Sequence, residues 1–377
     1  MKLIERQASV LDSSHDLETL HNLPGFPVFM GCVDHPASED LVADQTWDIC
    51  RNTGILQLRF LIPLDVLYQA QHADAVGEIW MNHHRTFADF VHGFNPSAVL
   101  ELGGAHGILS KEYSQLGDIP WTILEPNPTP VEGCNACFIK GFFDDAFSYD
   151  DPFDTVIHSH VFEHLYEPDQ FMRHLAGFMK EGKHLIFSLP NMQVWLERKY
   201  TNCINFEHTV FLTEPYVEYL LAKHGFRILR KQYVMDGHSI FYAAVRDPSV
   251  QAIPLPGGLY EENRKLYMDY VDYHARLIDD LNRKIRAARR NVYLFGAHIF
   301  AQYLIECGLD TSRITCLLDN DRKKHGKRLY GTNLTVSSPK ILREVDNPII
   351  VLKAGMYNQE IREDILRNIN PAATFLE

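Results

Sequence analysis

Three polar clusters in the middle of the chain carry residues able to move protons: His158-Ser159-His160, Glu163-His164 and Glu207-His208. An imidazole titrates near neutrality, and beside a carboxylate it is the side chain that most easily takes a proton from a substrate. The chain has 19 histidines, so most must be ordinary core or surface residues, and position has to discriminate among them. A second chemistry lies in the stretch Val99-Leu100-Glu101-Leu102-Gly103-Gly104-Ala105-His106-Gly107. An apolar run that can be a buried strand turns through three glycines into an apolar periodic segment, which puts unpaired backbone N–H groups against whatever binds there. Trp121-Thr122-Ile123-Leu124-Glu125 reads as the next strand, closing on a carboxylate. In α/β folds an acid ~20 residues beyond such a turn faces ribose hydroxyls.

The turn and the acid together resemble the S-adenosylmethionine site of class I methyltransferases. The resemblance implies that Gly103, Gly104 and Gly107 line the methionine and ribose side and that Glu125 accepts both ribose hydroxyls. It also implies that Phe142-Phe143-Asp144 flank the adenine, with Glu101, Pro126 and His160 completing the cofactor set.

The elements that must position these residues follow from periodicity. Residues 76–247 alternate strand and helix signals in the manner of a right-handed parallel sheet, which binds ligands at the carboxyl ends of its strands, where Glu101, Glu125, Phe142, Phe143 and His160 fall. Residues 1–75 read as a small loop-rich module punctuated by Asn22-Leu23-Pro24-Gly25-Phe26-Pro27. Its cysteines, Cys32 and Cys50, have no partner two residues away and are expected as free buried thiols, so no metal is expected there. Residues 248–377 open with a Pro/Gly-rich linker and a long helical pattern, Glu261 to Arg290. A second strand-turn-helix follows at Val292 to His298, with a strand from Ile314 closing on Asp319. One glycine at that turn is too few for a pyrophosphate to approach the backbone, which favours a structural or substrate-shaping role. The expected fold is therefore α/β: a class I methyltransferase Rossmann-like sheet with a small N-terminal module and a second, C-terminal Rossmann-like domain.

Composition narrows the partners. A formal net charge of −13 over 377 residues argues against a nucleic-acid backbone, which needs a concentrated basic face. The basic cluster Arg283 to Arg290 lies on a helical pattern and reads as a solvated face. No apolar run approaches the ~18 residues of a membrane span, and Met1 to Gln7 lack a signal-peptide core, which points to the cytoplasm. Seven cysteines, an odd number scattered along the chain, fit reduced thiols.

The resemblance narrows at the polar clusters. The order Leu-Glu-Leu-Gly-Gly-x-x-Gly, Leu-Glu-Pro, His-x-x-Glu-His, Leu-Pro-Asn, then Glu-His and a Gly-Phe strand is similar to that of sugar C-methyltransferases acting on nucleotide-linked keto-deoxysugars. That family has a zinc-binding N-terminal module, a class I core and a C-terminal Rossmann-like domain, matched here by Val292 to Asp319, Lys324 to Lys327 and Tyr330-Gly331. Carried over, His208 abstracts the proton next to the sugar ketone, Glu207 orients it, and His164 stabilises the oxyanion. The chain departs from the pattern at three places: Cys50 stands alone where a Cys-x-x-Cys-Gly is expected, Asn205 replaces a substrate tyrosine, and Gln71 to Val76 replaces a tyrosine- and serine-rich segment. The insertion Trp195 to Phe206 is expected to reach over the site as a lid. The rival readings are O- or N-methylation of a glycan precursor or other polar metabolite, and a binding module that has kept the fold without catalysis.

Overall fold

The computed structural model describes residues 1–69 and 77–377; the segment Gln71 to Val76, with the expected boundary between the first two regions, lies outside the described residues. At the centre is a seven-stranded sheet: β1 (Val99–Leu102), β2 (Trp121–Glu125), β3 (Cys137–Lys140), β4 (Thr155–Ser159), β5 (His184–Pro190), β6 (Phe226–Val234) and β7 (Ser239–Arg246). Their spatial order is β6-β7-β5-β4-β1-β2-β3. Strands β1 to β5 run parallel, and β7 enters antiparallel between β5 and β6. This is the expected class I sheet with its closing pair of strands. All four residues of β1 are buried, as befits a strand covered on both faces. Helices α1 (Glu78–His92), α2 (Ile108–Tyr113), α3 (Pro168–Phe178), α4 (Met192–Glu197) and α5 (Glu214–Lys223) belong to the same region.

Register decides where the site falls. Glu101 pairs with Ile157 on one side and Ile123 on the other, and Leu102 pairs with His158 and Leu124. The carboxyl ends of β1, β2 and β4 therefore finish level, and the chain reverses direction across the sheet between β1 and β4, the switch point at which such sheets bind ligands.

The N-terminal region forms a three-stranded antiparallel sheet from Leu17–Pro27, Val42–Cys50 and Leu56–Leu58. A 29-residue helix, α6 (Leu259–Ala287), leads to five parallel strands: β8 (Val292–Phe295), β9 (Ile314–Leu318), β10 (Val336–Ser337), β11 (Ile349–Leu352) and β12 (Thr374–Leu376). Helices α7 (Ile299–Glu306) and α8 (Asn358–Asp364) accompany them. The three regions share one apolar cluster, in which Trp47, Trp195, Phe206, Tyr267 and Tyr303 are all buried together. The N-terminal region is also stitched to the last one: Cys32–Val33 pairs with Arg328–Leu329, and Arg328 donates to both oxygens of Asp40 at 2.6 and 2.7 Å. No helix among the described residues is long and apolar enough to cross a membrane.

Candidate active site

The glycine turn sits where the strand ends require it. Gly103 and Gly107 have φ of +72° and +70°, and a Cβ on Gly104 would lie 2.7 Å from both the Glu101 carboxyl carbon and an Ile123 methyl. Glycine at these positions lets the backbone pass over the sheet edge without obstruction. Glu125, at the end of β2, accepts from the Ala105 N–H at 3.0 Å and the Asn127 N–H at 2.9 Å, which ties the turn to the second strand. Pro126 follows it, half-buried. This cradle, with backbone donors on one side and a carboxylate on the other, suits a nucleoside carrying a sulfonium-bearing amino acid.

Three of the residues expected at the cofactor have protein neighbours of their own. Glu101 is sealed beneath the turn, where it accepts from the Trp121 indole N–H at 2.7 Å, and burial raises its carboxyl to about 7. It supports the cradle from below. A Cβ on Gly107 would sit 2.4 Å from the Cys134 sulfur, so this glycine answers to packing beneath the turn. Phe143 packs in an aromatic cluster with Phe147, Phe171, His174 and Phe178. Phe142 stays at the rim, 40% exposed, with its ring 6.4 Å from that of Tyr68. Asp144 is exposed and accepts from the Ala146 N–H at 3.0 Å.

Beyond the end of β4 the polar residues converge. His160 holds a φ of +53°, a conformation uncommon for a side chain of this size, and its N–H donates to the Ser188 carbonyl at 3.0 Å. That turn swings its ring toward Glu163, to which Nδ1 donates at 3.1 Å. Glu163 is 2% exposed, and burial alone would raise its carboxyl; the hydrogen bond from His160 and the nearby His164 and His208 more than offset this and hold it near 2. The carboxylate is therefore ionised, and its Oε2 is buried with no partner among the described residues.

His208 comes to the same place from the other side of the chain. Asn205 Oδ1 accepts the backbone N–H groups of both Glu207 and His208 at 2.8 Å, a side-chain turn that presents the pair. The residue that replaces the expected tyrosine thus has a shaping role. His208 Nδ1 lies 2.8 Å from the Cys203 carbonyl, which can only accept, so Nδ1 carries the proton. Asn205 Nδ2, at 3.2 Å from the same nitrogen, has the Asn202 carbonyl at 3.3 Å as its own acceptor. The His208 and His164 rings are 5.6 Å apart, and His164 Nδ1 meets the Tyr68 hydroxyl at 3.3 Å. Burial, with a smaller contribution from His164, lowers His208 to about 4, so its imidazole is neutral at pH 7. The carboxylates Glu163 and Glu207 act in the opposite direction and do not outweigh burial. Glu207 itself is half-buried beside this cluster.

Glu163, His164 and His208 also offer one ligand atom each within 4.8 Å of one another, the one such group among the described residues that could hold a metal ion. Cys32 and Cys50 do not form a second: Cys32 Sγ faces the Ala297 carbonyl at 3.4 Å, whereas Cys50 lies in a different apolar cluster with Val10 and Leu11.

Several contributors carry no motif. Tyr68 joins His164 to the cofactor side, its carbonyl 3.5 Å from Asn127 Nδ2. Trp80 and His83 on α1 bring their rings to 5.0 Å from that of His160, and His238 packs against Trp195 at 4.7 Å. Trp195 to Phe206 does not form a lid. Trp195, Leu196, Cys203, Ile204 and Phe206 are buried in the shared apolar cluster, where large apolar side chains are most stable. The C-terminal region closes this side instead: Thr201 donates to the Lys353 carbonyl at 3.0 Å, and Gly355, just beyond β11, faces the Tyr200 ring. Its own turn repeats the device of the first, with the Ala297 N–H donating to Asp319 at 3.0 Å, but Lys324 already pairs with that carboxylate at 3.0 Å.

Residues 78–231 match the family model of a methyltransferase domain, and residues 262–375 match that of a C-methyltransferase C-terminal domain. No curated protein matches the chain. Among solved structures, magnesium protoporphyrin IX methyltransferase from Synechocystis PCC 6803 with bound SAH is 20% identical, over 47% of this chain and 90% of that one, at a TM-score of 0.36. The PH0226 protein from Pyrococcus horikoshii OT3 is 18% identical, over 48% of this chain and 98% of that one, at a TM-score of 0.39. N-methyltransferase NodS from Bradyrhizobium japonicum WM9 is 13% identical, over 44% and 95%, at 0.35.

Proposed function

We propose that this chain, an S-adenosylmethionine-dependent methyltransferase, methylates a carbon next to the ketone of a small activated carbohydrate, a nucleotide-linked keto sugar, with His208 as the base. The observation that carries this reading is the His208 tautomer. With Nδ1–H committed to the Cys203 carbonyl, the Nε2 lone pair is left to accept a proton, on a ring that offers a nitrogen within 4.8 Å of ligand atoms of Glu163 and His164.

S-Adenosylmethionine bound at the cradle of Gly103, Gly104 and Glu125 supplies an electrophilic methyl group. His208 Nε2 takes the proton from the carbon beside the ketone, and the electron pair of that C–H bond moves onto the carbonyl oxygen as an enolate. His164, whose Nδ1 meets the Tyr68 hydroxyl and whose Nε2 lies 3.9 Å from Glu163, is the group that would stabilise the developing oxyanion. The imidazolium formed on His208 is stabilised by the buried Glu163 carboxylate and by Glu207. A value near 4 makes His208 a weak base, and Glu163, the hydrogen bond to the Cys203 carbonyl and Glu207 act to raise it.

The test is solvent deuterium exchange at the carbon beside the ketone of a nucleotide-linked keto sugar, without S-adenosylmethionine. Exchange catalysed by the wild type and abolished in His208→Gln is expected. Methylation of a hydroxyl oxygen without exchange would instead make this an O-methyltransferase.

A further inference from the structure

Arg6 lies far from any motif, yet it joins the two segments that carry the histidines. It follows Ile4 and Glu5, which pair with Leu61 and Phe60, and its side chain is buried, with 6% of the residue exposed. One guanidinium nitrogen donates to the Leu58 carbonyl at 3.1 Å and to the Thr209 carbonyl at 2.6 Å. The other donates to the Leu165 carbonyl at 3.3 Å, the Tyr166 carbonyl and the Thr209 hydroxyl at 3.2 Å. Leu165 and Tyr166 directly follow His164, and Thr209 directly follows His208. The two segments also meet without Arg6: the Thr209 N–H donates to the Glu163 carbonyl at 2.8 Å, and the Thr209 hydroxyl donates to the Leu165 carbonyl.

We infer that Arg6 is a positioning residue for proton transfer: its planar fork sets the separation of the His164 and His208 rings by binding the backbone one step beyond each. This rests on the reading of His208 as the base. Five donors in one plane can satisfy carbonyls from both segments at once, whereas a lysine ammonium offers three donors around a point and cannot span them. A buried cation is costly to keep, and here its hydrogen bonds go to backbone carbonyls at the site, with Glu167 as a nearby opposite charge. The geometry matters because a misplacement of ~1 Å can lower a rate by ~10²-fold.

The test compares Arg6→Ala and Arg6→Lys with wild type on the full chain. Three readouts are taken: S-adenosylhomocysteine affinity, ¹⁵N spectra of the histidine rings, and turnover of a nucleotide-linked keto sugar. Both variants are expected to bind S-adenosylhomocysteine as wild type does, to lose the single Nδ1–H tautomer signal of His208, and to turn over ~10- to 100-fold more slowly. Millimolar guanidinium ion is expected to restore part of the rate in Arg6→Ala and none in Arg6→Lys, whose side chain fills the space. The inference is overturned if Arg6→Lys keeps wild-type ring signals and turnover. It is equally overturned if affinity and turnover fall together without rescue, or if neither variant folds, since Arg6 would then be a structural staple. If His208→Gln keeps full turnover while the Arg6 variants still disturb the His208 signals, it is the base assignment that fails, and the positioning geometry stands.

Discussion

His208 Nδ1 lies 2.8 Å from the Cys203 carbonyl, and this contact decides which imidazole nitrogen keeps its lone pair. Replacing His208 with alanine removes the lone pair and leaves the cradle at the end of β1 untouched. Turnover is expected to fall ~10²- to 10⁴-fold with affinity for S-adenosylmethionine nearly unchanged. Single-turnover kinetics with the keto-sugar acceptor measure it; a variant keeping more than half of the wild-type rate would move the base to His160 or His164.

Glu125 holds the Ala105 and Asn127 N–H groups and is the carboxylate proposed to accept the ribose hydroxyls. Hydrogen bonds to a desolvated carboxylate contribute about 1.5–3 kcal/mol each. Glu125→Ala should therefore weaken S-adenosylmethionine binding at least ~10-fold by titration calorimetry. An unchanged dissociation constant would remove Glu125 from the cofactor site.

Mild acid should destabilise the fold through its buried histidines. Burial lowers His208 and His274 to about 4 and His158 and His238 to about 3, and His83 falls well below its ordinary value. Below pH ~6.5 the unfolded chain takes up protons at these positions that the folded chain refuses, so stability falls as pH drops toward the folded values. Glu101 and Glu306, both raised to about 7 by burial, and Glu167, also raised, bind protons in the folded state and act in the opposite direction, but the lowered histidines, His21 and His84 among them, outnumber them. Each uncompensated histidine contributes a slope of about 1.4 kcal/mol per pH unit. Thermal unfolding should show a lower midpoint at pH 5.5 than at pH 7.5, and a pH-independent midpoint would contradict the neutral buried histidines.

Two glycines separate backbone strain from steric overlap. Gly54 and Gly237 have φ of +71° and +77°, but a Cβ on Gly54 would lie 2.4 Å from the Leu259 carbonyl carbon, whereas one on Gly237 meets nothing within 4 Å. Alanine at either site incurs about 1–2 kcal/mol for the left-handed conformation. Gly54→Ala should lose about 1–3 kcal/mol more, because the start of α6 must shift. Equal unfolding midpoints in urea would mean that α6 yields without resistance.

Chelation distinguishes the two roles open to Glu163, His164 and His208. If they form an acid–base group, prolonged dialysis against EDTA should leave deuterium exchange unchanged. Loss of exchange that stoichiometric zinc restores would turn His208 from a base into a ligand.

The central sheet is readable from sequence because each parallel strand is a buried apolar run and the turn after β1 needs glycine. His160, His164 and Glu207-His208 are readable because they fall just past strand ends or beside a carboxylate. Arg6 and Tyr68 are not: Arg6 meets Thr209 across 203 residues and Tyr68 meets His164 across 96, and no local periodicity records such contacts. Phe143 shows a different limit. Strand alternation stops at Lys140, so the direction of a side chain three residues later is set by whichever apolar neighbours are nearest, here Phe171 and Phe178. The Trp195 to Phe206 insertion reads as a cover when taken alone, and as core once Trp47 and Tyr267 are beside it.

The pairing of Cys32–Val33 with Arg328–Leu329, reinforced by Asp40 and Arg328, also bears on how the chain matures on the ribosome. Asp40 emerges 288 residues before its partner. At ~5–20 residues per second, the first region waits roughly 15–60 s with this edge uncovered. Synthesis halted before Arg328 thus leaves the Cys32–Val33 edge unpaired and the Asp40 carboxylate without its guanidinium partner.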